Sequence, residues 1–430
     1  MAAVSQLDQH RIADIRPADS RLASSIRSLG QIGLDPQGGV TRLGLTRQER
    51  AGREFVAEYA RECGLRASVD PAANLILRPP AGFAPAGRPV LLVGSHLDTV
   101  RQGGALDGAY GVLAALEVVR TLLRAGVPLP YEPVVVGFSN EEGARFPCPF
   151  WGSKALTGAL EPLGQLHAED GTPILDGLVE AGGDPARLAA AEWDPAELHG
   201  YLELHIEQGP VLEQAAVPLG VVTAITGRTV LDLDVRGVQN HAGTSPMPAR
   251  RDALPAAAEA VLAVEGLATA SAACSVATTG RLTVEPGSTN VVPGRVRLTV
   301  EFRDPDAGRL AGAERLLREQ LAGIAARRGV EIHAEPVLRC PPTPCDPELL
   351  DRVSSGVAGL GVDSLRMASG AGHDAQIMAA RTPAAMIFVP SRNGISHSPE
   401  EHTDPDLLAL GARALLRTMV ALADRPLSAR

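Results

Sequence analysis

Arg88–Ser139 opens with "RPVLLVGS" (Arg88–Ser95), runs through "GAYGVLAALEVVRTLLRAG" (Gly108–Gly126) and closes on "PVVVGFS" (Pro133–Ser139). The first piece is apolar at successive positions, as a strand buried on both faces must be. The second repeats apolar residues at helical spacing and stops on Gly126. The third is again a short buried strand. A strand, a helix and a second buried strand make a βαβ unit, so the segment predicts an α/β domain with a largely parallel sheet.

Outward from that unit the pattern continues. "TRQERAGREFVAEYARECG" from Thr46 opens with a Ser/Thr-x-x-Glu capping box (Thr46, Glu49), ends on Gly64, and predicts a helix. After about Pro218 the character changes. "TVLDLDVRG" alternates like a half-exposed strand, and "ARRDALPAAAEAVLAV" reads as a helix. "SVATTGRLTVEPG" and "GRVRLTVEFRD" read as strands, "AGRLAGAERLLREQLAGIAARRG" as a long helix, and "VEIHAEPV" as a strand. The order β-α-β-β-α-β is the split, ferredoxin-like arrangement. Beyond "CPPTPCDP" the α/β pattern resumes with the strand "AAMIFVP" and a helix from Asp404 to about Asp424. The expected domains are a discontinuous α/β domain (1–215 and 336–430) and an inserted α+β domain (216–335).

A chain of 430 residues is too long for one ordinary core, which fits two domains. Its formal charge of −10 argues against nucleic acid or an anionic membrane surface as main partner. No apolar run approaches the roughly 20 residues of a membrane span, and the first residues lack the apolar core of a secretion signal. Cys63, Cys148, Cys274, Cys340 and Cys345 are scattered and without a CxxC. They read as reduced thiols in a cytoplasmic protein, with no disulfide framework.

Five short segments carry candidate ligands: "GSHLDT" (His96, Asp98), "GGALDGAYG" (Asp107), "NEEG" (Glu141, Glu142), "LHIEQG" (His205, Glu207) and "GISHSPEEHTD" (His397). Most fall where loops leave strand ends, the usual place for sites in open α/β sheets. Imidazoles and carboxylates without thiolates suit zinc or a neighbouring ion such as manganese. A carboxylate such as Asp107 can bridge two ions roughly 3.5–4 Å apart. Neighbours in extended chain face opposite ways, so Glu141 and Glu142 converge on one centre only in a turn. Glu142 would then ligate while Glu141 takes a proton from a metal-bound water. Asp98, two residues after His96, is placed to hold the far nitrogen of that imidazole. Each feature has a plainer reading: a lone His96 as a satisfied polar residue, "NEEG" as a surface turn. His10, His167, His199 and His333 read as structural, and Cys340 and Cys345 as part of a loop.

Taken together and in order, these segments resemble the zinc-dependent amidohydrolases related to aminoacylases and metallocarboxypeptidases. The branch they resemble contains allantoate amidohydrolase, N-carbamoyl-L-amino-acid hydrolase and β-ureidopropionase. The resemblance runs from "GGVTRLGLT" to "GISHSPEEHTD" and includes "NEEGARF", "ELHIEQGPVLE", "NHAGTSPMPARRDAL", "STNVVPG" and "SGAGHDAQ". It implies an α/β catalytic domain holding two divalent ions (Zn²⁺ or Mn²⁺) and an inserted ferredoxin-like lid through which a homodimer forms. One ion would take His96 and His205, the other Glu142 and His397, with Asp107 bridging and Glu141 as general base. His241 would polarise the scissile carbonyl, and Asn290 and Arg303 would meet the substrate carboxylate. Gln208 and the backbone near Gly372 would be further substrate contacts. A strand-end salt bridge with a nearby carboxylate such as Asp304 is the alternative reading of Arg303.

The implied reaction is hydrolysis of a terminal ureido group in a small carboxylate, releasing ammonia and carbon dioxide. "FPCPFWGSKALTG" and "GVTRL" look like the allantoate enzymes, whereas "SNEEGARF" is closer to the carbamoyl-amino-acid hydrolases. The order of expectation is allantoate, then N-carbamoyl-L-amino acids, then β-ureidopropionate. A dipeptidase or aminoacylase of the same superfamily is the rival enzyme, and "HIEQGP" speaks against it because those relatives usually ligate with a carboxylate at His205. A catalytically silent metal-binding module is the non-enzyme rival. Glu141 and His241, which are not needed to hold metal, speak against that.

Overall fold

The computed structural model describes residues 15–83, 87–127, 129–163, 166–424 and 427. His10 lies outside them. The first six strands are β1 (Arg66–Val69), β2 (Leu75–Arg78), β3 (Val90–His96), β4 (Glu132–Phe138), β5 (Leu198–Ile206) and β6 (Gly220–Ile225). Then come β7 (Gly227–Arg236), β8 (Asn240–His241), β9 (Val276–Glu285), β10 (Val291–Val292), β11 (Arg295–Asp304) and β12 (Glu331–Cys340). The last are β13 (Thr343–Pro344), β14 (Leu365–Ser369) and β15 (Ala384–Val389).

The chain divides into two compact units, Met1–Thr223 with Cys345–Met367 and Ala371–Arg430, and Ala224–Pro344 with Ala368–Gly370. The expected insertion, 216–335, starts and ends earlier. The reasons are local: β6 pairs with β15 of the large sheet, and β12 runs on to Cys340 along β7.

The large sheet has the order β1-β2-β4-β3-β5-β15-β6-β13, with β14 beside β6. At its centre β3 pairs in parallel with β4 and β5, and β5 with β15. Every residue of β3 and β15 is buried. The helix Ala109–Ala125 is buried over nearly its whole circumference, because it lies against this sheet and against the helices Asp19–Leu29 and Pro405–Asp424. Burying a Val or Leu side chain contributes about 1.5–3 kcal/mol, so the apolar βαβ segment is also the centre of the core. The edge strands are antiparallel (β1 with β2, β2 with β4), so the sheet is mixed.

The second unit carries the four-stranded sheet β12-β7-β11-β9, antiparallel throughout. Its register follows the alternation in sequence. Leu231, Leu233 and Val235 of β7 and Val296, Leu298, Val300 and Phe302 of β11 turn to a core shared with Ala256, Ala260, Val264, Leu317 and Leu321 of two helices. The first of these helices spans Ala253–Thr269, not Ala249 to Val264. Asp252 caps it by accepting Leu254 N–H at 3.1 Å, and Pro255, which has no N–H to give, fits its first turn. The second spans Ala307–Arg328 and is capped by Asp306. The register of β12 shifts at Pro336, where the ladder lacks a donor.

Candidate metal centre

Half of the expected capping box at Thr46 forms, with Thr46 accepting Glu49 N–H at 3.2 Å. The Glu49 carboxylate bonds other amides than that of Thr46. Oε2 accepts Leu45 N–H (2.7 Å) and Oε1 accepts Asn140 N–H (3.2 Å). Burial pushes its pKa up to about 7. The next two amides of the same turn, Glu141 and Glu142, donate to Asp98 Oδ1 (2.9 Å) and Oδ2 (3.1 Å). Three successive N–H groups are thus taken by two buried carboxylates. Asn140 holds the turn open at φ 49, which is how both glutamates leave β4 toward one side. Asn140 Nδ2 donates to Cys148 O at 3.0 Å.

Asp98 also meets the far nitrogen of His96, as expected, chiefly through its backbone. Its main-chain carbonyl, not its carboxylate, takes Nδ1 of His96 (3.1 Å), while Oδ1 stands at 3.6 Å. His205 is fixed in the same way, Nδ1 on Ile206 O at 2.8 Å. A carbonyl accepts only from N–H, so both rings carry the proton on Nδ1 and present Nε2. Both Nε2 atoms face one oxygen, Asp107 Oδ1, at 3.4 and 3.1 Å. His397 Nε2 faces the other, Oδ2, at 3.1 Å, and Glu142 Oε1 at 3.2 Å.

The donors of His96, Asp107 and His205 all lie within 4.8 Å of one another, and so do those of Asp107, Glu142 and His397. One carboxylate is common to both sets. The loop carrying it approaches closely: Gly108 has φ 62, and a Cβ there would collide with the His96 ring.

Electrostatics in this pocket are those of a site built for cations. Burial alone would lower the pKa of His96, but Glu141, Asp107 and Asp98 outweigh it and hold it well above the usual imidazole range. Burial works to raise Asp107, yet three imidazoles hold it well below the usual carboxylate range. His397 is pushed up to about 10 by Asp107 and Glu142. Protons here occupy places that a divalent ion would compete for. Glu142 Oε1 is buried and faces His397 Nε2 at 3.2 Å. The donor set, imidazoles and carboxylates clustered round Asp107, fits divalent cations.

Glu141 is buried, 3.8 Å from His96 Nε2, and belongs to neither set that shares Asp107, although its carboxylate also lies within 4.8 Å of donors of His96 and Glu142. Burial, reinforced by Glu142 and Asp374, raises its pKa well above the carboxylate range. Gln208, held at φ 59, donates to Asp107 Oδ2 at 2.8 Å. Gly372 faces the Phe150 ring and Gln376, where a Cβ would be within 3.0 Å of both. Glu207 joins neither set. It accepts Val211 N–H (2.7 Å) and Leu212 N–H (2.8 Å) at the start of the helix Val211–Ala215.

His241, Asn290 and Arg303 belong to the second unit. His241 is exposed on β8, which pairs with β10. Its Nδ1 accepts Gly243 N–H (3.0 Å) and Thr244 N–H (3.3 Å), so the neutral ring carries its proton on Nε2. Asn290 O accepts Ala242 N–H at 2.9 Å and steadies the same loop. Arg303 pairs with Glu301 (2.6 Å) and donates Nη1 to Gly370 O (2.7 Å). Asp304 instead binds Arg309 and Ser275, so the alternative reading of Arg303, a strand-end salt bridge with a nearby carboxylate, is met by Glu301 and not by Asp304.

His199 stacks on Tyr131 and His333 lies 3.6 Å from Glu331, while His167 bridges to Pro173. All five cysteines are free. Sequence reading missed His373, whose buried ring meets His205 edge-on at 4.7 Å, and Glu203, which accepts Ser95 Oγ at 2.6 Å. Their donors and that of His205 form a further group within 4.8 Å. "SGAGHDAQ" was visible, but nothing in its spacing assigns His373 a partner.

The sequence pattern of Peptidase family M20/M25/M40 matches residues 92–421. The chain is 39% identical over 404 residues to an N-carbamoyl-L-amino acid amidohydrolase of Geobacillus stearothermophilus, covering 94% of this chain and 98% of that one. It is 34% identical to an allantoate amidohydrolase of Bacillus subtilis, covering 93% and 96%. The crystal structure of an amidase of the hydantoinase/carbamoylase family from Burkholderia multivorans superposes with a TM-score of 0.87 at 37% identity, covering 96% of this chain and all of that one. With the match spanning all five ligand segments, the chain belongs to the M20/M25/M40 peptidase family.

Proposed function

We propose that this protein is a hydrolase that cleaves the terminal ureido C–N bond of an N-carbamoyl-L-amino acid or of allantoate, with two divalent ions, Zn²⁺ or Mn²⁺, per subunit. The observation that carries the reading is the sharing of Asp107, one oxygen turned to His96 and His205, the other to His397. His96, His205 and Asp107 would hold one ion, and Asp107, Glu142 and His397 the other. Such a pair supplies a Lewis acid and a water acidified to near neutrality.

The protein's own groups then have distinct tasks. Glu141, buried and free of either set, takes a proton from the attacking water and returns it to the leaving nitrogen. His241, with its proton on Nε2, donates to the carbonyl oxygen as charge grows there. Arg303, whose Nε is taken by Glu301 and Nη1 by Gly370 O, keeps Nη2 for the substrate carboxylate. Gln208, Asn290 and the Gly372 backbone complete the binding set. The relatives' identities favour N-carbamoyl-L-amino acids over allantoate, reversing the order drawn from the short motifs.

A homodimer through the second unit is supported by its edge. Strand β9 carries the exposed Val276 and Leu282, and the helix Ala253–Thr269 beside it exposes Leu254 and Leu262. Free thiols fit a cytoplasmic setting, and no described helix is long and apolar enough to cross a membrane. The test is ammonia release by the Mn²⁺- or Zn²⁺-loaded protein from N-carbamoyl-L-amino acids, allantoate and β-ureidopropionate. Cleavage of dipeptides or N-acetyl amino acids instead would replace the substrate class.

A further inference from the structure

The two halves of the centre are built on different supports. His96 ends β3 and His205 lies in β5, both on buried strands. His397 sits on a loop whose backbone is left-handed at Asn393 (φ 55), Gly394 (φ 66) and His397 itself (φ 54). Nearly half of its side chain is exposed. Something must hold that loop against Asp107.

Glu401 does so from both sides. Oε1 accepts Leu106 N–H at 2.9 Å and Asp107 N–H at 3.1 Å. Oε2 accepts Ser396 Oγ at 2.7 Å, and that hydroxyl also stands 3.2 Å from Asp107 Oδ2. Room for the carboxylate exists only because position 104 is glycine, since a Cβ there would strike it. Glu401 thus ties the residue before His397 to the segment bearing Asp107.

We propose that Glu401 is a positioning residue that assembles the Asp107–Glu142–His397 half of the centre and so sets the affinity of the second ion. The proposal rests on the two-ion reading above. It acts through placement, not charge. A glutamine could keep its Oε1 on the two amides and turn its Nε2–H to Ser396 Oγ, which still has its own proton for Asp107. An alanine keeps none of these bonds.

The test is a calorimetric titration with Mn²⁺ of metal-free wild type, E401A and E401Q, with metal retained after dialysis measured in parallel. Wild type is expected to take two ions. E401A is expected to keep one and bind the other about 10–100-fold more weakly, the usual loss when a ligand's support is removed. E401Q is expected to stay close to wild type. Should E401A be unable to fold, Ser396→Ala is expected to weaken the same ion. The proposal is overturned if the alanine variants hold two ions as wild type does. It is equally overturned if E401Q falls with E401A, which would make charge the cause. A wild type that takes fewer than two ions removes the two-ion reading, and the proposal with it.

Discussion

The carboxylate of Asp98 accepts the main-chain N–H of Glu141 at 2.9 Å, and its second oxygen takes that of Glu142 at 3.1 Å. The bond places the proposed base and a proposed ligand from a single buried residue. Asp98→Asn keeps the size but turns an N–H₂ toward one of those amides. Activity is expected to fall roughly 10–100-fold, with a lower kcat measured by ammonia release. An unchanged kcat would show that the turn holds without the carboxylate.

Glu141→Gln removes the proton acceptor while leaving both donor sets intact. The expected loss is about 10²–10⁴-fold in kcat, with two ions per subunit still present by elemental analysis. Loss of metal along with activity would make Glu141 a ligand instead.

His241→Ala is expected to lower kcat by about 10²–10³-fold, with KM changing far less. The ring donates to charge that develops only during reaction, so a loss confined to KM would speak for a ground-state contact.

Metal removal should make stability strongly pH-dependent. In the metal-free protein His397 titrates at about 10, against 6.5 for a free imidazole. The folded form therefore binds a proton that the unfolded chain has released between those values. The stabilisation is complete below pH about 6.5 and disappears as pH rises through 10. His96 and His205, also raised, act with the same sign. The urea midpoint of chelator-treated protein is expected to fall from pH 6.5 to 10, less steeply in His397→Gln. A flat or rising midpoint would contradict the ion pairs of Asp107.

Loading should also expel protons. Adding Zn²⁺ at pH 7 to the metal-free protein in weak buffer is expected to acidify it, because His397 is still protonated there. No pH change would mean that His397 takes no part in binding.

Short-range patterns were enough to read much of this molecule. The apolar run of β3 and β4, the helix between them and the alternation of β7 and β11 follow from burial and backbone period alone, as does the succession of the long strands and helices along the second unit. Residue type marked His96, Asp107, Glu142, His205 and His397 as candidate ligands, together with Asp98, Glu141 and Glu207, and the family resemblance narrowed the set. Pairings across the chain were not. That Asp98 holds a turn 43 residues away, that Glu49 serves both a helix start and that turn, and that Glu401 binds a loop 294 residues away depend on which strand ends meet. Spacing carries no record of that, because a carboxylate finds its buried partner only once the sheet has brought distant segments within hydrogen-bond reach.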